Sequence, residues 1–211
     1  NRVDVPIDLK ESINSDINTP DKLKDAKTFD LSFAIALDNN GRIRPLTKEE
    51  SVIYTYLPTS FRFGSEGFPF LVNANFITDA GRQQLHKDSE WNKLIFSKIP
   101  SEFLLWIKEI SSVYRNYWEV LPEKSYGRSN ALETIYAENM EKAINEIAFI
   151  PSLKNSMDKL LASEAFMDRM SISASISVDA LVYHINRTYT RTFDANNQIE
   201  NVWKGSRILN S

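Results

Sequence analysis

Apolar residues recur at every second position through residues 29–37, where Phe29, Leu31, Phe33, Ile35 and Leu37 share one face. That period of two predicts a β-strand with one strongly apolar side. Asp38-Asn39-Asn40-Gly41 follows, a turn signal because Asn and Gly tolerate positive φ, with a short return strand at 42–46. Residues 51–59 predict a second strand, apolar on both faces and closed by Pro58, suited to the interior of a sheet. Residues 61–67 contain two glycines and read as a loop. A third strand is predicted over 68–76: Phe68, Phe70, Val72, Ala74 and Phe76 line one side, with Asn73 and Asn75 on the other, either solvated or lining a site. The first 27 residues read as an extended or weakly helical lead-in.

Beyond residue 77 the period lengthens to that of a helix. Thr78-Asp79 predicts the cap of a short helix reaching His86. A second helical run covers 91–99, and Pro100-Ser101 restarts it, with Phe103, Leu104, Ile107, Ile110, Tyr114 and Tyr117 on one stripe. Residues 121–127 read as a break. Asn130 followed by Glu133 resembles a capping box, opening a helix whose inner stripe runs from Leu132 to Ile147. A short strand at 149–151, an ambiguous stretch at 156–161, helices at 163–170 and 177–187 and strand character at 189–193 complete the reading. Strands first and helices later predict an α+β fold: a mixed, mostly antiparallel sheet covered by helices, then a helical connection and a smaller α/β unit. The domain division is expected at 1–121 and 122–211.

Composition narrows the function classes. The 211 residues, 42% hydrophobic and 25% charged, can bury a real core. A formal charge of −3 argues against binding nucleic acid by bulk electrostatics. No apolar stretch approaches the roughly 18 residues that span a bilayer. The absence of cysteine removes disulfides and thiolate metal sites and fits a reducing, cytoplasmic setting. The opening Asn1-Arg2-Val3-Asp4 has neither an initiator methionine nor a signal-peptide core, so we expect an excised segment of a longer chain, with a processed mature chain as the alternative.

Four motifs occur in order: Tyr54-Thr55-Tyr56-Leu57-Pro58, Asn73-Ala74-Asn75-Phe76, Arg82, and Trp91-Asn92. Together they resemble the segment that follows the ATP-binding domain in sacsin-like and NO VEIN-type ATPases of the GHKL class. The resemblance covers about 50 residues. It implies a middle, coupling domain like that of GHKL chaperones, which senses the γ-phosphate of ATP bound upstream. It implies ATP and Mg²⁺ for the parent protein and no cofactor for this chain. The partners it implies are the upstream ATP-binding domain and a protein client.

By the same resemblance Arg82 is the γ-phosphate contact, placed in a turn that enters a helix. A guanidinium suits that role, being always charged and offering a planar fork of donors, with N–H groups of a helix start to assist. The sequence departs from the family in placing Ala80-Gly81 before the arginine, and Asp79 is positioned to pair with it. A surface arginine is the competing reading. Trp91 and Asn92 are expected to be structural, the first packing helix on sheet, the second satisfying backbone groups.

The chain lacks a phosphate-cradling G-x-x-x-x-G-K-[ST] loop and the GHKL nucleotide boxes. ATP binding by this chain alone is therefore not expected. His86 and His184 lie about a hundred positions apart without metal-ligand spacing. Glu49-Glu50 and Glu138/Glu141 read as solvated. The alternative function is a protein-interaction or scaffold module without nucleotide, its contact surface formed by Phe61, Phe63 and Phe68. Core packing is the competing reading of those three rings. A self-contained hydrolase has no supporting spacing.

Overall fold

The computed structural model describes residues 1–121, 128–151 and 157–165. In chain order the elements are β1 (Arg2–Asp4), α1 (Lys10–Ser15), α2 (Asp21–Lys24), β2 (Thr28–Ala34), β3 (Ala36–Leu37), β4 (Ile43–Arg44), β5 (Ile53–Thr55) and β6 (Leu57–Pro58). They continue with β7 (Leu71–Ala74), α3 (Glu90–Ile110), α4 (Ala131–Glu146), β8 (Ile150–Pro151) and β9 (Lys159–Leu160). The fold is α+β with a mostly antiparallel sheet. Five strands lie in the order β1-β2-β7-β5-β6, and among these only β5 and β7 run parallel.

The chain forms two compact units, Asn1–Phe103 with Glu119–Glu141, and Leu104–Trp118 with Lys142–Ser211. Each draws on both sides of residue 121.

In the first unit the period-two reading holds through β2 and β7. Phe29 and Leu31 are buried, as are Phe68, Phe70, Val72, Ala74 and Phe76. The alternation fails at Ile35, where the chain leaves the sheet and forms the hairpin β3–β4. Asp38 organises its turn: its carboxylate accepts the N–H of Asn40 at 2.8 Å and of Arg42 at 2.9 Å, and Gly41 takes φ +72°. The lead-in contributes more than expected. Val3 pairs with Phe29, making residues 2–4 an edge strand, and α1 buries Ile13.

The run expected as one strand over 51–59 is interrupted. Tyr56 adopts φ +62°, and the chain folds back so that Thr55 faces Leu57. Thr55 and Leu57, which flank Tyr56, carry no turn chemistry, and Pro58 signals an end two residues later, so the reversal at Tyr56 had no signal of its own.

The glycine-containing loop turns inward. Phe61, Phe63 and Phe68 are 7%, 1% and 2% exposed, which is the core packing expected of them and corrects the alternative reading of the three as a partner surface. Phe63 stacks on Phe68 at 4.5 Å and Phe70 on Phe103 at 4.0 Å, while Tyr136 of α4 meets Phe63 edge-on at 4.8 Å. Rings at such separations gain contact beyond simple area burial, so the loop is held by its aromatic residues.

Residues 91–110 form one helix rather than two. Pro100 lies inside α3. A proline there costs about 3 kcal/mol by removing a backbone bond. Leu94, Ile95, Phe96, Ile99 and Phe103 are nonetheless fully buried, and burial of each such side chain contributes roughly 1.5–3 kcal/mol. The apolar stripe outweighs the proline. Asp16 tops the helix from the far lead-in, accepting the Glu90 N–H at 2.9 Å. The capping box at α4 is present in altered form. Asn130 Oδ1 accepts the Glu133 N–H, but the Glu133 carboxylate returns to the N–H and hydroxyl of Ser129 instead of to Asn130.

In the second unit Ile150 pairs with Leu160 across β8 and β9, giving the expected strand at 149–151 a partner. Lys159 Nζ donates to the hydroxyls of Ser111 and Ser112 at 3.1 and 2.8 Å. Burial, aided by the nearby charge of Lys108, holds the Lys159 ammonium below the usual lysine range. The helices expected at 177–187 and over most of 163–170, and the strand at 189–193, lie outside the described residues.

Candidate functional site

Arg82 sits at the tip of a hairpin, not at the start of a helix. Thr78 bridges to Leu85, the His86 N–H donates to the Ile77 carbonyl at 3.1 Å, and the Asp79 N–H to the Gln84 carbonyl at 3.0 Å. This corrects the short helix expected over 78–86. Asp79 explains the change. Its carboxylate accepts the Gln83 N–H at 2.8 Å and its carbonyl the Arg82 N–H at 3.1 Å, which closes a turn where a helix cap was expected. The helix N–H groups expected to assist Arg82 are therefore absent from the turn, because α3 begins only at Glu90.

The hairpin base is fixed by Asn92, which is fully buried in the first turn of α3. Its Oδ1 accepts the Ile77 N–H at 2.9 Å, and its Nδ2 donates to the carbonyls of Ile77 at 2.8 Å and His86 at 3.0 Å. Trp91, also fully buried, donates its indole N–H to the Asn75 carbonyl at 3.0 Å and meets Phe29 edge-on at 5.9 Å. Both residues have the structural roles expected of them.

Arg82 itself takes φ +56°. Its carbonyl accepts the Ser60 N–H at 3.0 Å, and its Nη2 donates to the Thr55 carbonyl at 2.5 Å. The Nε is buried and without a hydrogen-bond partner among the described residues. No ion pair joins Arg82 to Asp79, whose carboxylate is turned to Gln83. The half-buried cation is thus tethered at one donor.

The Thr55 carbonyl that Arg82 holds belongs to the same peptide as the Tyr56 N–H. That N–H donates to Asn73 Oδ1 at 2.9 Å. One peptide is gripped at both ends, by a guanidinium from the hairpin and a carboxamide from β7. The grip explains how Tyr56 keeps its left-handed backbone, a conformation costing a bulky residue about 1–3 kcal/mol. Outside the grip Tyr56 and Leu57 are 72% and 59% exposed. Beyond Asn73 in sequence, just past the end of β7, the Asn75 Oδ1 is buried without a hydrogen-bond partner among the described residues.

Sequence reading selected Arg82 and noted Asn73 and Asn75. It missed the Thr55–Tyr56 peptide, since backbone groups leave no trace in residue identity. His86 takes part through its backbone, and His184 lies outside the described residues. Glu50 is held by Arg44 Nη1 and Nη2 at 2.7 and 2.9 Å, which with the Thr47 N–H lowers its carboxyl to about 2. Among the described residues no group of three His, Asp or Glu could hold a metal ion, and no helix is long and apolar enough to cross a membrane.

No protein family, curated protein or solved structure matches the chain.

Proposed function

We propose that this chain is the coupling module of a chaperone-like ATPase of the sacsin-like GHKL class, acting after an ATP-binding domain in a cytoplasmic parent protein. On this reading ATP and Mg²⁺ bind upstream, Arg82 contacts the γ-phosphate, and closure of the upstream domain passes through the hairpin to α3. The layout, a mostly antiparallel sheet followed by long helices, is the one expected of a GHKL middle segment.

The observation that carries the reading is the uncommitted charge of Arg82. A guanidinium has five N–H donors. One is engaged by Thr55, the Nε has no partner, and no carboxylate neutralises the group among the described residues. Asp79, the competitor for phosphate, is engaged by Gln83. A charge-assisted contact contributes roughly 1.5–3 kcal/mol, enough to bias a two-state closure.

The test is ATP turnover by the parent protein, wild type against Arg82→Ala and Arg82→Lys, with ATP affinity and melting measured in each. Turnover reduced about tenfold or more in Arg82→Ala, at unchanged ATP affinity and fold, is the expected result; tenfold corresponds to about 1.4 kcal/mol. Unchanged turnover overturns the reading.

A second reading, a protein-interaction module without nucleotide, is favoured by a different observation. With Phe61, Phe63 and Phe68 in the core, the exposed apolar side chains near the site are Tyr56 and Leu57. Client binding that falls on Tyr56→Ser with Leu57→Ser, while ATP turnover is unaffected by Arg82→Ala, would select it.

A further inference from the structure

Two residues other than glycine adopt positive φ among the described residues, Tyr56 at +62° and Arg82 at +56°. They lie in different loops, 26 positions apart in the sequence. The structure joins them through one peptide. The Arg82 guanidinium holds the Thr55 carbonyl, and the adjoining Tyr56 N–H is held by Asn73. Tyr56 is the one residue between two antiparallel partners, Thr55 and Leu57. Its backbone angle therefore sets where the exposed Tyr56–Leu57 tip points.

A left-handed tyrosine persists only where its surroundings over-determine it. Here two hydrogen bonds do so, and one comes from a side chain with other uses. Arg82 has further donors and a charge that no carboxylate pairs with among the described residues. An oxyanion offers a guanidinium two acceptors where a carbonyl offers one, so it competes effectively for the fork. Arg82 cannot serve both fully, because its Nη2 is directed at Thr55.

We propose that the Thr55–Tyr56 peptide is a latch set by Arg82: with the guanidinium on the Thr55 carbonyl, the Tyr56–Leu57 tip is fixed, and withdrawal of the guanidinium lets the peptide turn over and the tip move. The trigger rests on the reading of Arg82 as a phosphate contact; the latch rests on the shared peptide alone. It gives occupancy at Arg82 a readout on the exposed sheet edge, without a change in the buried sheet.

Amide hydrogen exchange at Tyr56 tests the latch. In Arg82→Ala the Tyr56 amide is expected to exchange about tenfold faster or more, the value of one lost charge-assisted bond, with the amides of β2 and β7 unchanged. Unchanged exchange at Tyr56 overturns the proposal. A double-mutant cycle in urea adds a second criterion. Glycine needs no clamp to hold positive φ, so Arg82→Ala should shift the unfolding midpoint less in a Tyr56→Gly background than in wild type; strict additivity overturns the latch.

Should Arg82→Ala fail to fold, Asn73→Ala releases the other end of the peptide. The ¹⁵N signals of the Arg82 guanidinium are then expected to shift, and unmoved signals overturn the proposal. Adding ATP–Mg²⁺ to the parent protein separates the two readings. Faster exchange at Tyr56 on addition supports both. Coupling in the variants with no response to ATP–Mg²⁺ supports the latch and removes the phosphate as its trigger.

Discussion

Asn92 binds the backbone of Ile77 from both sides, accepting its N–H at 2.9 Å and donating to its carbonyl at 2.8 Å. A carboxamide presents a donor and an acceptor side by side, as a neighbouring strand does. Asn92 thus stands in for a missing strand at the hairpin that carries Arg82. Asn92→Leu is expected to destabilise the chain by about 2–4 kcal/mol, since it strips the Ile77 N–H of its partner and takes one donor each from the Ile77 and His86 carbonyls, which keep only the N–H groups of His86 and Ser89. Urea unfolding measures the loss. Asn92→Asp keeps the acceptor but places an anion in a fully buried site, and should be at least as damaging at neutral pH.

Asp16 makes stability depend on acid. Its carboxylate accepts the Thr19 hydroxyl at 2.7 Å and the N–H groups of Asn18 and Glu90 at 2.8 and 2.9 Å. Burial alone would raise its pKa, but bonds from Thr19, Asn18, Glu90 and Ser89 outweigh burial and lower it below 3.8. A carboxyl depressed in the folded state contributes stability that is present above its unfolded pKa and lost as pH falls through the folded one. Asp16→Ala should cost about 1–2 kcal/mol at neutral pH, as other lost caps do, and should flatten the acid limb of the melting temperature. An unchanged acid limb assigns that limb to other carboxylates.

Gly67 has no room for a side chain. It takes φ +80°, and a Cβ there would overlap the Ser51 hydroxyl and lie 2.6 Å from Ser51 Cβ. Ser51 cannot easily move, because its hydroxyl donates to the Phe68 carbonyl at 2.6 Å. Gly67→Ala is expected to cost about 2–4 kcal/mol from overpacking and backbone strain together. Thermal unfolding checks this, and a change within about 0.5 kcal/mol, the range of an ordinary surface site, contradicts it.

Phe63 separates core from surface roles. It contacts Phe68, Phe96 and Tyr136 and is 1% exposed. Phe63→Ala should destabilise by about 3–5 kcal/mol, whereas Tyr56→Ser, at an exposed position, should leave the unfolding midpoint nearly unchanged. Comparable costs in the two variants would contradict the burial seen here.

Alternation at Phe29, Leu31, Phe68, Phe70, Val72 and Ala74 was legible in the sequence because a period of two has one physical cause, a sheet with a single covered face. The turn at Asp38–Gly41 was legible because its chemistry is local. Failures came where distant groups decide. Thr78-Asp79 has the composition of a helix cap, yet Asn92 and the Asp79 carboxylate hold a hairpin. Pro100 signals a break, yet the buried stripe carries α3 through it. Tyr56 sits in a run of strand-formers, yet Arg82 and Asn73 hold it left-handed. At the candidate site Arg82 could be selected from its chemistry and the resemblance. Its tether to Thr55 could not, since a carbonyl is common to every residue.

Pro58 closes the sheet at β6, where it has no N–H to offer a further strand. At the opposite end β1 is three residues long and places the charged, exposed Arg2 and Asp4 on either side of Val3. Short, charged or proline-bearing edges are poor templates for strand addition from another chain. The Tyr56–Leu57 tip can therefore stay apolar and open to water without seeding edge-to-edge association. Replacing Pro58 with valine would restore the donor beside two exposed apolar side chains and turn a quiet margin into a growing one.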